Sequence, residues 1–175
     1  MLEINDIILA VLYVLPAYVA NGSPVIIYKI LHGRTTPIDM GIIMKDGKRV
    51  LGDGKSVEGF IGGTIIGFIT GFIINTLIIL YRNPLEYFLL SIGTMIGDLM
   101  GSFIKRRLGL ERGAPAPIMD QLGFIIVALL FVWAIMGLPQ WININIIIII
   151  FIITFILHIT TNLLAYLIGI KNKPW

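Results

Sequence analysis

Five apolar stretches long enough to cross a bilayer decide what this chain can fold into. They run over about 7–31, 59–80, 84–104, 119–138 and 143–170, the first interrupted at 21–24. A helix needs about 20 mainly apolar residues to cross the ~30 Å hydrocarbon layer. No water reaches a backbone amide there, so each span must be a helix whose amides pair within it. Composition agrees: 13% of residues are charged and the mean hydropathy is +0.95, against about 25% charged in soluble domains. The expected fold is an all-α polytopic membrane protein, one transmembrane domain over 1–175.

The connections predict an orientation. Of thirteen Lys and Arg, twelve lie on one side of a five-span arrangement: Lys29, Arg34, Lys45, Lys48, Arg49, Lys55, Lys105, Arg106, Arg107, Arg112, Lys171 and Lys173. Only Arg82 lies on the other. Positive charge stays cytoplasmic. The N-terminus is therefore expected outside and the C-terminus in the cytoplasm, with two large cytoplasmic loops at 32–58 and 105–118. Met1 to Asp6 carries two acids and no base, the wrong flank for a secretory signal. The absence of cysteine removes disulfides, thiolate nucleophiles and thiolate metal sites. A net charge of +3 is too small to suggest a nucleic-acid partner.

Two features bear on packing. Pro16 and the run Asn21-Gly22-Ser23-Pro24 predict a break in the first helix, because proline removes an amide donor and glycine loosens the backbone. A break would place Asn21 beside protein or a wet cavity; the alternative is an ordinary helix end followed by an interfacial stretch. Glycine recurs every fourth residue at Gly59, Gly63, Gly67 and Gly71, and again at Gly93, Gly97 and Gly101. Small residues on one face let helices approach closely, which predicts a seam between the second and third spans.

Strongly polar residues within the spans are few: Asp98, Asp120, His158 and Asn162. Such residues are functional candidates, since a charge at bilayer centre costs about 2.5–3.5 kcal/mol. Asp98, Ser102, Lys105 and Arg106 stand at i, i+4, i+7 and i+8, one stripe of a helix. A carboxylate above two cations suits a metal-bound polyphosphate, and equally an intramembrane acid paired with a base. Asp120 opens a helix, where it either caps free amides or serves as a second carboxylate for Mg²⁺. Gly52-Asp53-Gly54-Lys55-Ser56 precedes another helix and lacks the first glycine and the strand of a P-loop. Such a turn can hold phosphate through its amides; alternatively Asp53 or Ser56 is a plain N-cap. His158, Thr161 and Asn162 share a face, either as part of a site or as mutually bonded polar groups. The isoleucine run before them is expected to face lipid.

Two blocks now carry a resemblance. Gly54-Lys55-Ser56-x-Glu58-Gly59-x-x-Gly62-Gly63 and Gly97-Asp98-Leu99-x-x-Ser102-x-x-Lys105-Arg106, followed by Asp120, resemble the membrane CDP-diacylglycerol synthases. Those enzymes are longer, and carry Lys-Asp after their Lys-Arg where this chain has Glu111-Arg112. The whole chain is more similar to the compact archaeal CDP-archaeol synthases. That likeness rests on Leu15-Pro16-Ala17-Tyr18-x-Ala20-Asn21-x-x-Pro24, Asp39-x-Gly41, Gly47-Lys48-Arg49, Ala114-Pro115, Asp120-Gln121, His158-x-x-x-Asn162 and Pro174-Trp175.

The resemblance implies a CTP-dependent lipid-phosphate cytidylyltransferase of archaeal ether-lipid synthesis. It would transfer CMP from CTP to 2,3-di-O-geranylgeranylglycerol 1-phosphate, releasing pyrophosphate, with Mg²⁺ as cofactor. The implied catalytic residues are Lys55, Asp98, Lys105 and Arg106. Asp98 and Asp120 would hold the metal. Asn21, Asp53, Lys55, Ser56, Ser102, Lys105 and Arg106 would bind CTP, with Glu58, His158 and Asn162 as further candidates. The location implied is the cell membrane, with the site facing the cytoplasm; a homo-oligomer is left open. The alternatives are a CDP-diacylglycerol synthase acting on phosphatidic acid and, in another class, a small membrane transporter.

Overall fold

The structure, a computed structural model, describes residues 3–111, 114–116 and 118–170. Arg112, Lys171, Lys173 and the Pro174-Trp175 pair lie outside them. Five helices follow one another: α1 (Ile4–Ile30), α2 (Val57–Ile78), α3 (Pro84–Arg107), α4 (Met119–Met136) and α5 (Ile144–Leu167). All five are long and apolar enough to cross a membrane. Three starts are set by side chains that accept from the free amides of the first turn. Ser56 Oγ accepts from the Gly59 amide at 3.1 Å, Asn83 Oδ1 from Leu85 at 2.9 Å, and Asn143 Oδ1 from Asn145 at 3.0 Å. Pro84, at the first turn of α3, costs no bond there.

The expected break at 21–24 is not present: α1 runs unbroken through Pro16 and Pro24. A neighbour replaces the bond that Pro16 removes. Pro16 leaves the Leu12 carbonyl without its helical donor, and the Tyr81 hydroxyl donates to it at 2.9 Å. Pro24 similarly frees the carbonyl of Ala20. Gly63 of α2 lies so close to that oxygen that a Cβ there would stand 3.0 Å from it. Ser23, buried, returns its hydroxyl to the Val19 carbonyl at 2.6 Å.

The glycine rows do not form the single α2–α3 seam that was expected. The α2 row fits the groove between α1 and α3. A Cβ on Gly67 would lie 2.7 Å from the Pro16 carbonyl and 2.6 Å from Ser91 Oγ. The α3 row turns to α4 instead: a Cβ on Gly93 would lie 2.9 Å from Ala128 Cα, and one on Gly97 2.9 Å from Phe124 Cα. Consequently α3 sits between α2 and α4 and is the most buried of the five helices. Nor is the isoleucine run wholly lipid-facing. Ile146 and Ile150 are buried in the core, while Ile144, Ile148 and Ile152 point outward.

At the end of α3 remote from Asp98 lies an acid that the count of intramembrane polar residues omitted. Glu86 is 0% exposed. Its carboxylate accepts from Tyr13 Oη at 2.7 Å, from Arg82 Nη2 at 2.7 Å and from the Arg82 amide at 2.9 Å. Arg82 also donates to the Met136 and Gly137 carbonyls at the close of α4. One guanidinium thus ties α3 to α4, and Tyr13 adds α1. A buried acid without such partners would cost several kcal/mol.

The close approaches give a test. Gly67→Ala places its methyl against a backbone carbonyl that cannot move aside, and should cost about 1–3 kcal/mol. Gly62→Ala meets only the flexible tip of Ile27 and should be near neutral. Thermal unfolding midpoints in detergent distinguish the two; equal shifts would contradict the packing.

Candidate active site

The second half of α1, the loop that leads into α2, the end of α3, the start of α4 and the second half of α5 surround one cavity of about 800 Å³. Two ion pairs stand in its wall. Lys55 Nζ, on the loop before α2, straddles the Asp98 carboxylate of α3 at 2.7 and 2.6 Å. Lys105, two turns further along α3, holds Asp120 Oδ1 of α4 at 2.7 Å. The other oxygen, Oδ2, accepts from the Ala116 amide at 2.8 Å. All four side chains keep 15–28% of their surface exposed. They are sheltered enough to be mutually attracted and open enough to be reached from the cavity.

The loop from Thr36 to Ser56 is built around a carboxylate noted above only as part of the pattern Asp39-x-Gly41. Asp39 has a side chain 1% exposed. It accepts from the amides of Leu51 and Gly52 at 2.9 and 2.8 Å, from the Gly41 amide at 3.3 Å, and from both Arg49 Nε and Nη2. Arg49 reaches on to Asp53 at 2.9 Å. The Arg49 guanidinium and these amides hold the Asp39 carboxyl well below the usual carboxylate range. Asp39 therefore fixes residues 49–53, and through them the height at which Lys55 enters the cavity. The signal for this was local: an Asp two residues before a glycine is the pattern of an Asx turn, and the Gly41 bond completes one.

Deeper in, the wall becomes less charged. Thr154 Oγ1 gives its hydrogen to the Ile150 carbonyl at 2.6 Å. The 2.7 Å bond from Tyr18 is therefore donated by the tyrosine. Asn162 Nδ2 lies 2.9 Å from His158 Nδ1. An amide nitrogen only donates, so a neutral His158 carries its hydrogen on Nε2. The mutual bonding expected of this pair is present, and both residues line the cavity. Leu15, Val25, Ile26 and Leu157 complete an apolar wall.

Asn21, Asp53, Lys55, Ser56, Asp98, Ser102, Lys105, Asp120, His158 and Asn162 all border this cavity. Arg106 does not; it lines a smaller recess of about 140 Å³ with Gly52, Gly54, Lys55, Ser102 and Lys105. Glu58 is absent from both, its carboxylate accepting from the Thr36 amide at 2.8 Å. Of the two N-cap candidates before α2, Ser56 caps and Asp53 pairs with Arg49. Asp120 opens α4 without capping it: its carboxylate turns back to Ala116 and Lys105.

The family model described as "CarS-like: CDP-archaeol synthase" matches residues 4–175. The CDP-archaeol synthase of Pyrococcus horikoshii is 43% identical over 99% of this chain and 100% of its own. That of Thermococcus kodakarensis is 43% identical over 98% of both chains, and that of Methanocaldococcus jannaschii 41% over 93% and 94%. A solved structure of an intramembrane enzyme for archaeal membrane lipids biosynthesis superposes with a TM-score of 0.76. It is 35% identical, over 87% of this chain and 92% of that one.

The Asp39 hub gives a pH test. Its folded carboxyl titrates below its unfolded value of about 3.9, so it stabilises the loop above that value. The contribution is lost as pH falls through about 4 towards the folded pKa. The protection of 36–56 against hydrogen exchange, taken relative to the intrinsic rate at each pH, should fall below about pH 4 in the wild type. In Asp39→Asn it should be low already at pH 6; slow exchange there would remove the hub from its role.

Proposed function

This chain belongs to the CDP-archaeol synthase family and is an enzyme, and from this premise we propose that it transfers CMP from CTP to 2,3-di-O-geranylgeranylglycerol 1-phosphate. The products are the unsaturated CDP-archaeol and pyrophosphate. The reaction takes place at the cytoplasmic face of the cell membrane, with the N-terminus outside and the C-terminus inside. What carries the reading is one cavity that joins two Lys–Asp pairs to an apolar wall. Such a site can meet a water-borne nucleotide and a lipid phosphate together.

The step is an in-line displacement. An oxygen of the lipid phosphate bonds to the α-phosphorus of CTP, and the bond to the β-phosphate oxygen breaks as pyrophosphate leaves. A phosphate monoester is largely dianionic near neutral pH, so no base need remove a proton. Catalysis then rests on positioning and on offsetting charge. Lys55 and Lys105 turn from their carboxylates to phosphate oxygens, joined from the recess by Arg106. Ser102, one turn before Lys105 on α3, offers a hydroxyl to the same oxygens, and Asn21 and Asp53 border the nucleotide.

Asp98 and Asp120 suit Mg²⁺. They are oxygen donors on adjacent helices bordering one cavity, and Mg²⁺ favours one or two carboxylates completed by substrate phosphates. Among the described residues no three His, Cys, Asp or Glu side chains form a metal site by themselves, so substrate phosphates would have to complete the set. The ion, when bound, neutralises phosphate charge. The transporter alternative drew on intramembrane acids and on a broken first helix; the second of these is gone, since α1 is continuous.

Turnover with labelled CTP and Mg²⁺ in liposomes tests the reading. Labelled CDP-lipid is expected from the unsaturated archaeal lipid phosphate. Product from phosphatidic acid instead would move the assignment to the diacylglycerol enzymes, and no product from either would overturn it. Asp98→Asn should lower turnover by at least ~100-fold with the unfolding midpoint unchanged. Near-normal turnover in that variant would release Asp98 from metal binding.

A further inference from the structure

The loop between α1 and α2 carries an apolar surface that the proposed reaction leaves unused. Residues 42–50 form a small hairpin. The Met44 amide donates to the Lys48 carbonyl at 2.9 Å, and the Val50 amide to the Ile42 carbonyl at 3.1 Å. On this ordered frame Met40, Ile42, Ile43 and Met44 are exposed by 67, 59, 63 and 40%, with Lys45 and Lys48 exposed beside them. Contiguous apolar surface outside the spanning helices marks a place of contact.

The hairpin is held at a definite level. Arg107, in the last turn of α3, donates to Asp46 at 2.7 Å and to the Arg49 carbonyl, and its guanidinium lies 5.3 Å from the centre of the Phe103 ring. Phe103, Ile104 and Leu108 are themselves exposed, so the outward apolar surface of α3 runs on to the hairpin. Lys105, Arg106 and Arg107 mark the height at which α3 leaves the hydrocarbon, since basic residues gather at that boundary.

We propose that the hairpin is a membrane-interface anchor. Ile42, Ile43 and Met44 enter the boundary between headgroups and acyl chains, and Lys45 faces anionic headgroups, with Lys48 beside it reaching the Arg107 carbonyl at 3.4 Å. Continuity with the outward face of α3 and the sign of the flanking charge select the lipid surface. A second copy of the chain would bring these lysines against their own kind. The anchor is joined to the candidate active site, because Asp39 and Arg49 tie the hairpin to residues 51–53. It thereby fixes the height of the loop that carries Lys55 relative to the bilayer.

The chain has no cysteine, so a single introduced one takes a nitroxide label at a known place. Ile43→Cys and, separately, Met44→Cys are labelled in vesicles containing anionic lipid. Ile69→Cys, on the exposed face of α2, serves as the depth reference. Power-saturation electron paramagnetic resonance compares access by oxygen with access by a water-soluble nickel chelate. Oxygen should exceed nickel at residues 43 and 44, by less than at residue 69, and the excess should shrink in neutral vesicles. Nickel exceeding oxygen at both positions would overturn the anchor. Dipolar broadening between copies would also overturn it, by assigning the surface to self-association.

Discussion

Asp39, Glu86, Asp98 and Asp120 are each drawn from water against a cation, and these four pairs organise the molecule. Removing a charge from water without a partner costs more than a small bundle can offset. Glu86 and Asp39 are closed off entirely, each held by an arginine fork and by backbone or tyrosine donors. Asp98 and Asp120 are held by lysines and keep part of their surface open to the cavity. The difference is chemical as well as geometric. Arginine in a fork makes a directed, lasting joint, whereas a lysine ammonium is a compact charge on a flexible stem. The arginine pairs knit the helices and loop together; the lysine pairs can exchange partners.

The middle position of α3 lets these pairs act together. Its glycines allow α4 to lie directly against it, with a row from α2 on the other side. Its first turn carries Glu86, and from about 18 Å further along Asp98, then Ser102 and Lys105, face the cavity. The helix is thus pinned at one end and presents its proposed chemistry at the other. Loop 36–56 closes over that second end through Arg107 and Asp39. The position of Lys55 therefore depends on residues that never touch the cavity.

Much of this was legible in the sequence. Five apolar stretches, the stripe at Asp98, Ser102, Lys105 and Arg106, and the turn at Lys55 identified the spans and the candidate site, and nearly all its residues share one cavity. What escaped depends on pairing across distance. Pro16 and Pro24 suggested a break because a proline costs its own helix a bond; nothing local reveals that Tyr81 serves the freed Leu12 carbonyl. Glu86 was left out of the intramembrane acids: Arg82, its ion-pair partner, is only four residues away, but the Tyr13 that completes its burial lies 73 residues away. The glycine spacing foretold close contact without saying which neighbour would fill it. At Asp39 only the turn onto Gly41 had a local signature; its fork with Arg49 and its bonds to the amides of Leu51 and Gly52 span ten or more residues and had none.

Exchange of lysine partners is the centre of the proposed mechanism, and CTP affinity in the absence of divalent cation tests it most directly. Calorimetry in detergent would compare the wild type with Lys55→Gln and Asp98→Asn. If Lys55 leaves Asp98 to bind phosphate, Lys55→Gln should weaken CTP binding by about tenfold or more. Asp98→Asn should bind CTP as well as the wild type or better, because the competing carboxylate is gone. Equal weakening in both variants would contradict the exchange and make the pair a fixed support of the cavity wall.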